Sequence, residues 1–86
     1  MRVYYSDKFA DEARKLSGDI KKVLKKKLGV MVDNPQHPSL RTKKIQGQKD
    51  IFESSITMGI RITWQYMDDG IYLRNIGEHD KTLKKP

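Results

Sequence analysis

Four side chains in the C-terminal half of this chain carry the chemistry of proton transfer and phosphate binding: Glu53, Arg61, Arg74 and His79. A carboxylate and an imidazole on one surface can act as base and acid. Histidine, with an ordinary pKa of about 6.5, does either job near neutrality. Guanidinium forks match two oxygens of a phosphate and stabilise the charge that builds on phosphorus. The set is a metal-free kit for phosphodiester cleavage. The base removes the proton of a ribose 2′-hydroxyl, and the acid protonates the departing 5′-oxygen. Glu53 is the candidate base, and His79 is suited to either transfer. Spacing alone does not single this chemistry out, because Glu53 and Arg61 would serve equally as an ion pair on a solvated face.

These residues meet only if the chain from residue 51 onward forms a sheet. The apolar period there is two: "IFESSIT", "IRITWQY" and "IYLRNIG" predict three strands separated by "MG" and "MDDG". A loop Thr57-Met58-Gly59, with a positive φ at Gly59, pairs Ile56 with Ile60. A two-residue turn Asp69-Gly70 pairs Tyr66 with Leu73. Phe52, Ile56, Ile60, Ile62, Trp64, Tyr66 and Leu73 then share an apolar face, and a one-residue slip would turn them toward water. The opposite face carries Glu53, Ser55, Arg61, Thr63, Gln65 and Arg74. In this register Arg61 falls across from Glu78, with His79 beside it at the strand end. That face is expected to be open, with Trp64 in the core.

The N-terminal half must supply the cover for the apolar face. "RVYY" at 2–5 is a short β-type stretch. Ser6 or Asp7 can cap a helix whose apolar stripe is Phe9, Ala13 and Leu16. Gly18 is the expected stop, and Asp19 or Ser17 the next cap. Ile20, Val23, Leu24, Leu28, Met31 and Val32 form the stripe of a second helix, with Lys21, Lys22, Lys25 and Lys26 off it. Asn34-Pro35 ends it, since proline disfavours helical geometry in the preceding residue. Two such helices cannot bury their stripes alone and need a sheet. Residues 35–50 read as a basic loop anchored by Leu40 and Ile45, with His37 a plain surface residue.

Composition sets the outer bounds. Eighty-six residues with 36 % hydrophobic content fit one small domain, 1–86. There is no cysteine, hence no disulfide scaffold and no thiolate nucleophile or metal site. No apolar run approaches the ~20 residues of a membrane span, and no signal-peptide core is apparent, so the expected location is cytoplasmic. Eighteen Lys and Arg against eleven Asp and Glu give a net charge of +7. Such an excess favours a polyanion or an acidic protein as partner, although lysines also serve plain solubility. The two histidines lie far apart in sequence and no carboxylate loop accompanies them, so neither a metal nor a cofactor is expected. Walker, G-x-G-x-x-G and G-x-S-x-G patterns are absent.

The stretches "HPSLRTKKIQG" (37–47), "IFESSITMGIRITWQY" (51–66) and "IYLRNIGEHDKTLKK" (71–85) resemble the RelE/ParE superfamily of toxin–antitoxin toxins. The Gly59-Ile60-Arg61 run and the Gly77-x-His79-Asp80 ending are similar to its RelE/YoeB/YafQ ribonuclease branch. The resemblance implies an α+β fold of order βααβββ, a twisted antiparallel sheet with two N-terminal helices on one face. It implies a ribosome-dependent mRNA endoribonuclease, neutralised by a cognate antitoxin. Arg61 falls on the phosphate-contacting arginine of that branch, His79 on a catalytic histidine, and Glu53 near a carboxylate base. Lys43, Lys44, Arg41 and Arg74 are the implied RNA contacts, with ribosome and mRNA as partners. The aromatic residue common near the C-terminus of such toxins has no counterpart in "KTLKKP". Two alternatives stay open: a ParE-like inhibitor of DNA gyrase, and a non-catalytic RNA-binding module.

Overall fold

Ser6 and Ser17 decide where the two N-terminal helices begin. The Ser6 side chain accepts from the Phe9 amide and that of Ser17 from the Ile20 amide, satisfying donors that a first helical turn leaves unpaired. The computed structural model describes residues 1–84 and 86, without the side chains of Asp80, Lys81 and Lys84. In it, strand β1 (Arg2–Tyr5) leads into helix α1 (Asp7–Arg14) and helix α2 (Gly18–Asp33). Gly18 thus starts α2 and does not stop α1, and Ser17 is the cap. Asn34 closes α2 as expected.

The stretch 35–50 is more ordered than a loop. It holds a one-turn 3-10 helix at Pro38–Leu40 and a two-residue strand β2 (Lys43–Lys44). His37 caps that turn, its Nδ1 accepting from the Ser39 amide at 3.1 Å. Strands β3 (Phe52–Ser55), β4 (Ile60–Met67) and β5 (Gly70–Glu78) follow, and the chain turns into a short helix α3 (His79–Lys84).

The sheet order is β1-β5-β4-β3-β2. Its antiparallel run β5-β4-β3-β2 is completed by β1, which lies parallel to β5, so the sheet is mixed. Phe9, Leu24 and Met31 of the two helices pack on Ile56, Ile62, Trp64, Ile71, Leu73 and Ile76 to form the core. Trp64 is wholly buried.

The β3–β4 register is the one the apolar alternation demands, with the Ile56 amide donating to the Ile60 carbonyl at 2.9 Å. Gly59 is not among the residues with positive φ. The turn is held by side chains instead: Thr57 Oγ1 accepts from the Ile60 amide, and Arg61 Nη1 donates to the carbonyls of Thr57, Met58 and Ile60.

The β4–β5 register departs from strict alternation. Met67 pairs with Gly70, which places the turn at Asp68-Asp69, and a bulge lies between the Thr63–Asn75 and Trp64–Leu73 pairs. Arg74 is the extra residue. The bulge shifts the alternation by one, so Ile71, Leu73 and Ile76 all reach the core although their spacing is not uniformly even. Arg61 therefore lies opposite Gly77, and Ile60 opposite Glu78.

Past Leu73 the outer edge of β5 has no strand partner, because β1 has ended. Helix α1 takes over that edge. Ser6 Oγ donates to the Arg74 carbonyl at 2.7 Å, and Glu12 Oε1 accepts from the Ile76 amide at 3.3 Å.

Candidate functional site

Helix α3 lies across the polar face of the sheet, opposite α1 and α2. An ideal Cβ on Gly77 would stand 2.8 Å from Thr82 Oγ1, so α3 is seated against bare backbone there. A main-chain oxygen of Pro86 accepts from Thr63 Oγ1 at 3.2 Å and from Arg74 Nε at 2.7 Å. The expectation of an open face is thereby corrected. Glu53 is only 5 % exposed, and Thr63 and Asn75 are buried with it. Strand spacing gave no hint of this cover, since "KTLKKP" is short and strongly basic.

Glu53 stands in the middle of β3, paired with Thr63 on one side and Lys43 on the other. Its Oε1 is 3.6 Å from Lys43 Nζ. A depression of about 440 Å3 opens onto it between Lys43, Lys44, Ile45, Gln46 and Leu83. Lys44 is exposed and lies 3.7 Å from Asp50 Oδ1.

Arg61 is half-buried. Among the described residues only its Nη1 is engaged, by the three turn carbonyls. The guanidinium is thus held at Nη1 against the turn. His79 opens α3, its backbone amide donating to the Gly59 carbonyl at 3.1 Å and its side chain exposed. Asp80, which completes the Gly77-x-His79-Asp80 motif, has its side chain outside the described residues.

The register relates these three positions. Glu53 pairs with Thr63, two residues along β4 from Arg61, and Arg61 pairs with Gly77, two residues before His79. Glu53 and Arg61 are thus diagonal neighbours, which lie about 7–8 Å apart in a sheet, while His79 is past the end of β5 as the first residue of α3. Arg61 lies on β4, between β3, which carries Glu53, and β5, which leads into His79.

The remaining candidates are dispersed. Arg74 Nη1 donates to Gln65 Oε1 at 2.6 Å, and with its Nε bond to Pro86 the side chain is fixed on the lower half of the polar face. Arg41 takes a left-handed backbone, φ 49°, after the 3-10 turn, and lines a separate depression with Lys27, Ser39 and Ser55. It is not brought to Glu53. Among the described residues no three His, Cys, Asp or Glu side chains gather as a metal-binding group. Nor is any described helix long and apolar enough to cross a membrane.

Solved structures share this fold. YafQ from Escherichia coli strain BL21(DE3) superposes with a TM-score of 0.77 at 13 % identity, over 93 % of this chain and 94 % of that one. A chain of the intact E. coli RelBE toxin–antitoxin complex gives 0.70 at 23 % identity, over 88 % and 93 %. A YoeB/ParE toxin from Agrobacterium tumefaciens gives 0.79 at 9 % identity, over 92 % and 99 %. The fold is that of the RelE/ParE toxins. No family model and no curated protein matches the chain by sequence. The RelE/ParE fold is carried here by a sequence far diverged from those of the solved structures, with Glu53, Arg61 and His79 on its β3, β4 and β5–α3 junction.

Proposed function

We propose that this chain is a RelE/ParE-type toxin of a toxin–antitoxin pair, acting as a ribosome-dependent mRNA endoribonuclease. The observation that supports the reading is the diagonal placement of Glu53 and Arg61 on β3 and β4 of a RelE/ParE fold, with His79 at the β5–α3 junction two residues past Arg61's partner Gly77. Arg61 binds the scissile phosphate and takes up its developing charge. One of Glu53 and His79 removes the 2′-hydroxyl proton, and the 2′-oxygen attacks phosphorus. The other protonates the 5′-oxygen as its bond to phosphorus breaks. The products are a 2′,3′-cyclic phosphate and a 5′-hydroxyl end.

Helix α3 covers Glu53, so RNA reaches it through the depression beside Lys43 and Lys44 or by displacing α3. Neighbours of this fold come from toxin–antitoxin complexes, which supports an acidic antitoxin as the protein partner of this +7 chain.

Primer extension on an mRNA under translation tests the reading. New 5′ ends within the coding region, absent without ribosomes and absent with His79→Ala, are expected. An intact message, with gyrase-linked DNA breaks in its place, would replace the ribonuclease by a gyrase inhibitor of the same fold.

A further inference from the structure

The lower half of the polar face lies beyond the reach of α3. Tyr4 of β1 pairs with Tyr72 of β5, and Tyr72 pairs with Gln65 of β4. All three alternate with core residues and so stand on the polar side, each half-buried. Tyr4 is tied down by its hydroxyl, which donates to Asp69. The Tyr72 ring lines a depression of about 300 Å3 together with Lys8 and Arg74. A second depression, of about 600 Å3, shares Arg74 and continues past Gln65 to Lys49 and Lys44. The one that opens onto Glu53 shares Lys44 in turn. The three share lining residues in sequence across four strands, with five cationic side chains and only two side-chain carboxylates, Asp50 and Glu53.

We propose that these depressions form a binding track for the unpaired nucleotides of an RNA strand leading to Glu53. Its choice of RNA rests on the ribonuclease reading above. Tyr72 offers a ring face on which a base stacks, a contact that any base can make. Lys8, Arg74, Lys49 and Lys44 follow the phosphates. Arg74 is pre-positioned by Gln65 and a main-chain oxygen of Pro86, with Nη2 unpartnered among the described residues. A duplex would hide its base faces from Tyr72, so the track selects single strands. An acidic peptide would satisfy the cations but would have no use for the ring.

The test is binding of the full chain to a fluorescent, unstructured eight-nucleotide RNA, 2′-O-methylated throughout so that it cannot be cut. Tyr72→Leu is expected to weaken binding about tenfold, and Tyr72→Trp to restore it. Lys44→Ala and Lys49→Ala should each lower the slope of log affinity against log salt by roughly 0.7. Thermal melting controls for folding, and the exposed lysine variants stand if Tyr72→Leu proves unstable. Equal binding by Tyr72→Leu, or displacement by polyglutamate as effective as by unlabelled RNA, would overturn the track. Protein that binds the methylated strand in this Tyr72-dependent way but never cuts translated mRNA supports the track and removes the ribonuclease reading alone. Cutting that persists while Tyr72→Leu changes neither binding nor rate removes the track alone.

Discussion

The indole Nε1 of Trp64 donates to Ser54 Oγ at 2.9 Å, across two neighbouring strands and inside the core. Ser54 Oγ is also 2.7 Å from Thr42 Oγ1, and Thr42 donates to the Pro35 carbonyl. A single buried hydroxyl thus ties the one tryptophan to the loop that follows α2. Ser54→Ala leaves the indole N–H without a partner and should cost about 1–3 kcal/mol of stability. Denaturant unfolding measures it, and a change within error would show that the bond carries no net weight.

Thr82 predicts the opposite sign. The residue is 4 % exposed and its hydroxyl is buried with no hydrogen-bond partner among the described residues, while α3 presses it against Gly77. Thr82→Val keeps the shape and removes the unsatisfied group, so stability should rise by about 1 kcal/mol. A loss on thermal melting would mean that the hydroxyl is satisfied in solution.

Gly70 permits the close approach of β1 to β5. A Cβ there would lie 1.8 Å from the Arg2 carbonyl oxygen, a backbone atom that cannot swing aside. Gly70→Ala should destabilise at the upper end of the roughly 1–3 kcal/mol typical of overpacking, by forcing β1 off the sheet. Amide exchange of β1 and β5 should report the loss; unaltered protection of β1 would contradict it.

Tyr4 supplies a pH dependence. Its hydroxyl donates to both oxygens of Asp69, at 2.9 and 3.1 Å. That hydrogen bond, then desolvation, then the carboxylate's charge, raise its pKa above the ordinary value of about 10, with Arg2 opposing. The folded pKa is the higher one. The link therefore contributes fully below the unfolded pKa and is lost as pH rises through the folded value. Titration of the Tyr4 ring carbon by NMR should show the raised pKa, and Asp69→Asn should bring it back toward about 10. No response to Asp69→Asn would place the cause elsewhere.

For catalysis, His79→Ala and Glu53→Gln should each slow single-turnover cutting on saturating ribosomes by about 10²–10⁴-fold, with ribosome binding little changed. Arg61→Ala should slow cutting as well, and it should cost about 1 kcal/mol of stability, because Arg61 closes the β3–β4 turn. A folded His79→Ala protein cutting at the wild-type rate would leave His79 merely the first residue of α3.

The sequence by itself determined the periodic parts of this protein. Period-two runs after residue 51 and the stripes of α1 and α2 fix which side chains are apolar neighbours, and burial follows because only one register hides them. Ser6 and Asn34 were legible because helix ends impose local needs that few residue types meet. The resemblance to RelE/ParE toxins in residues 37–85 likewise anticipated the fold. Tertiary structure decided everything that depends on two distant segments meeting. The parallel pairing of β1 with β5, the turn at Asp68-Asp69 and the bulge at Arg74 that together set Arg61 opposite Gly77 in place of Glu78, and the seating of α3 over Glu53 have no local sequence signal. Each is a compromise among elements packed from both sides of one sheet. The bulge in particular exists because Leu73 and Ile76 must both reach the core, a demand strict alternation cannot meet.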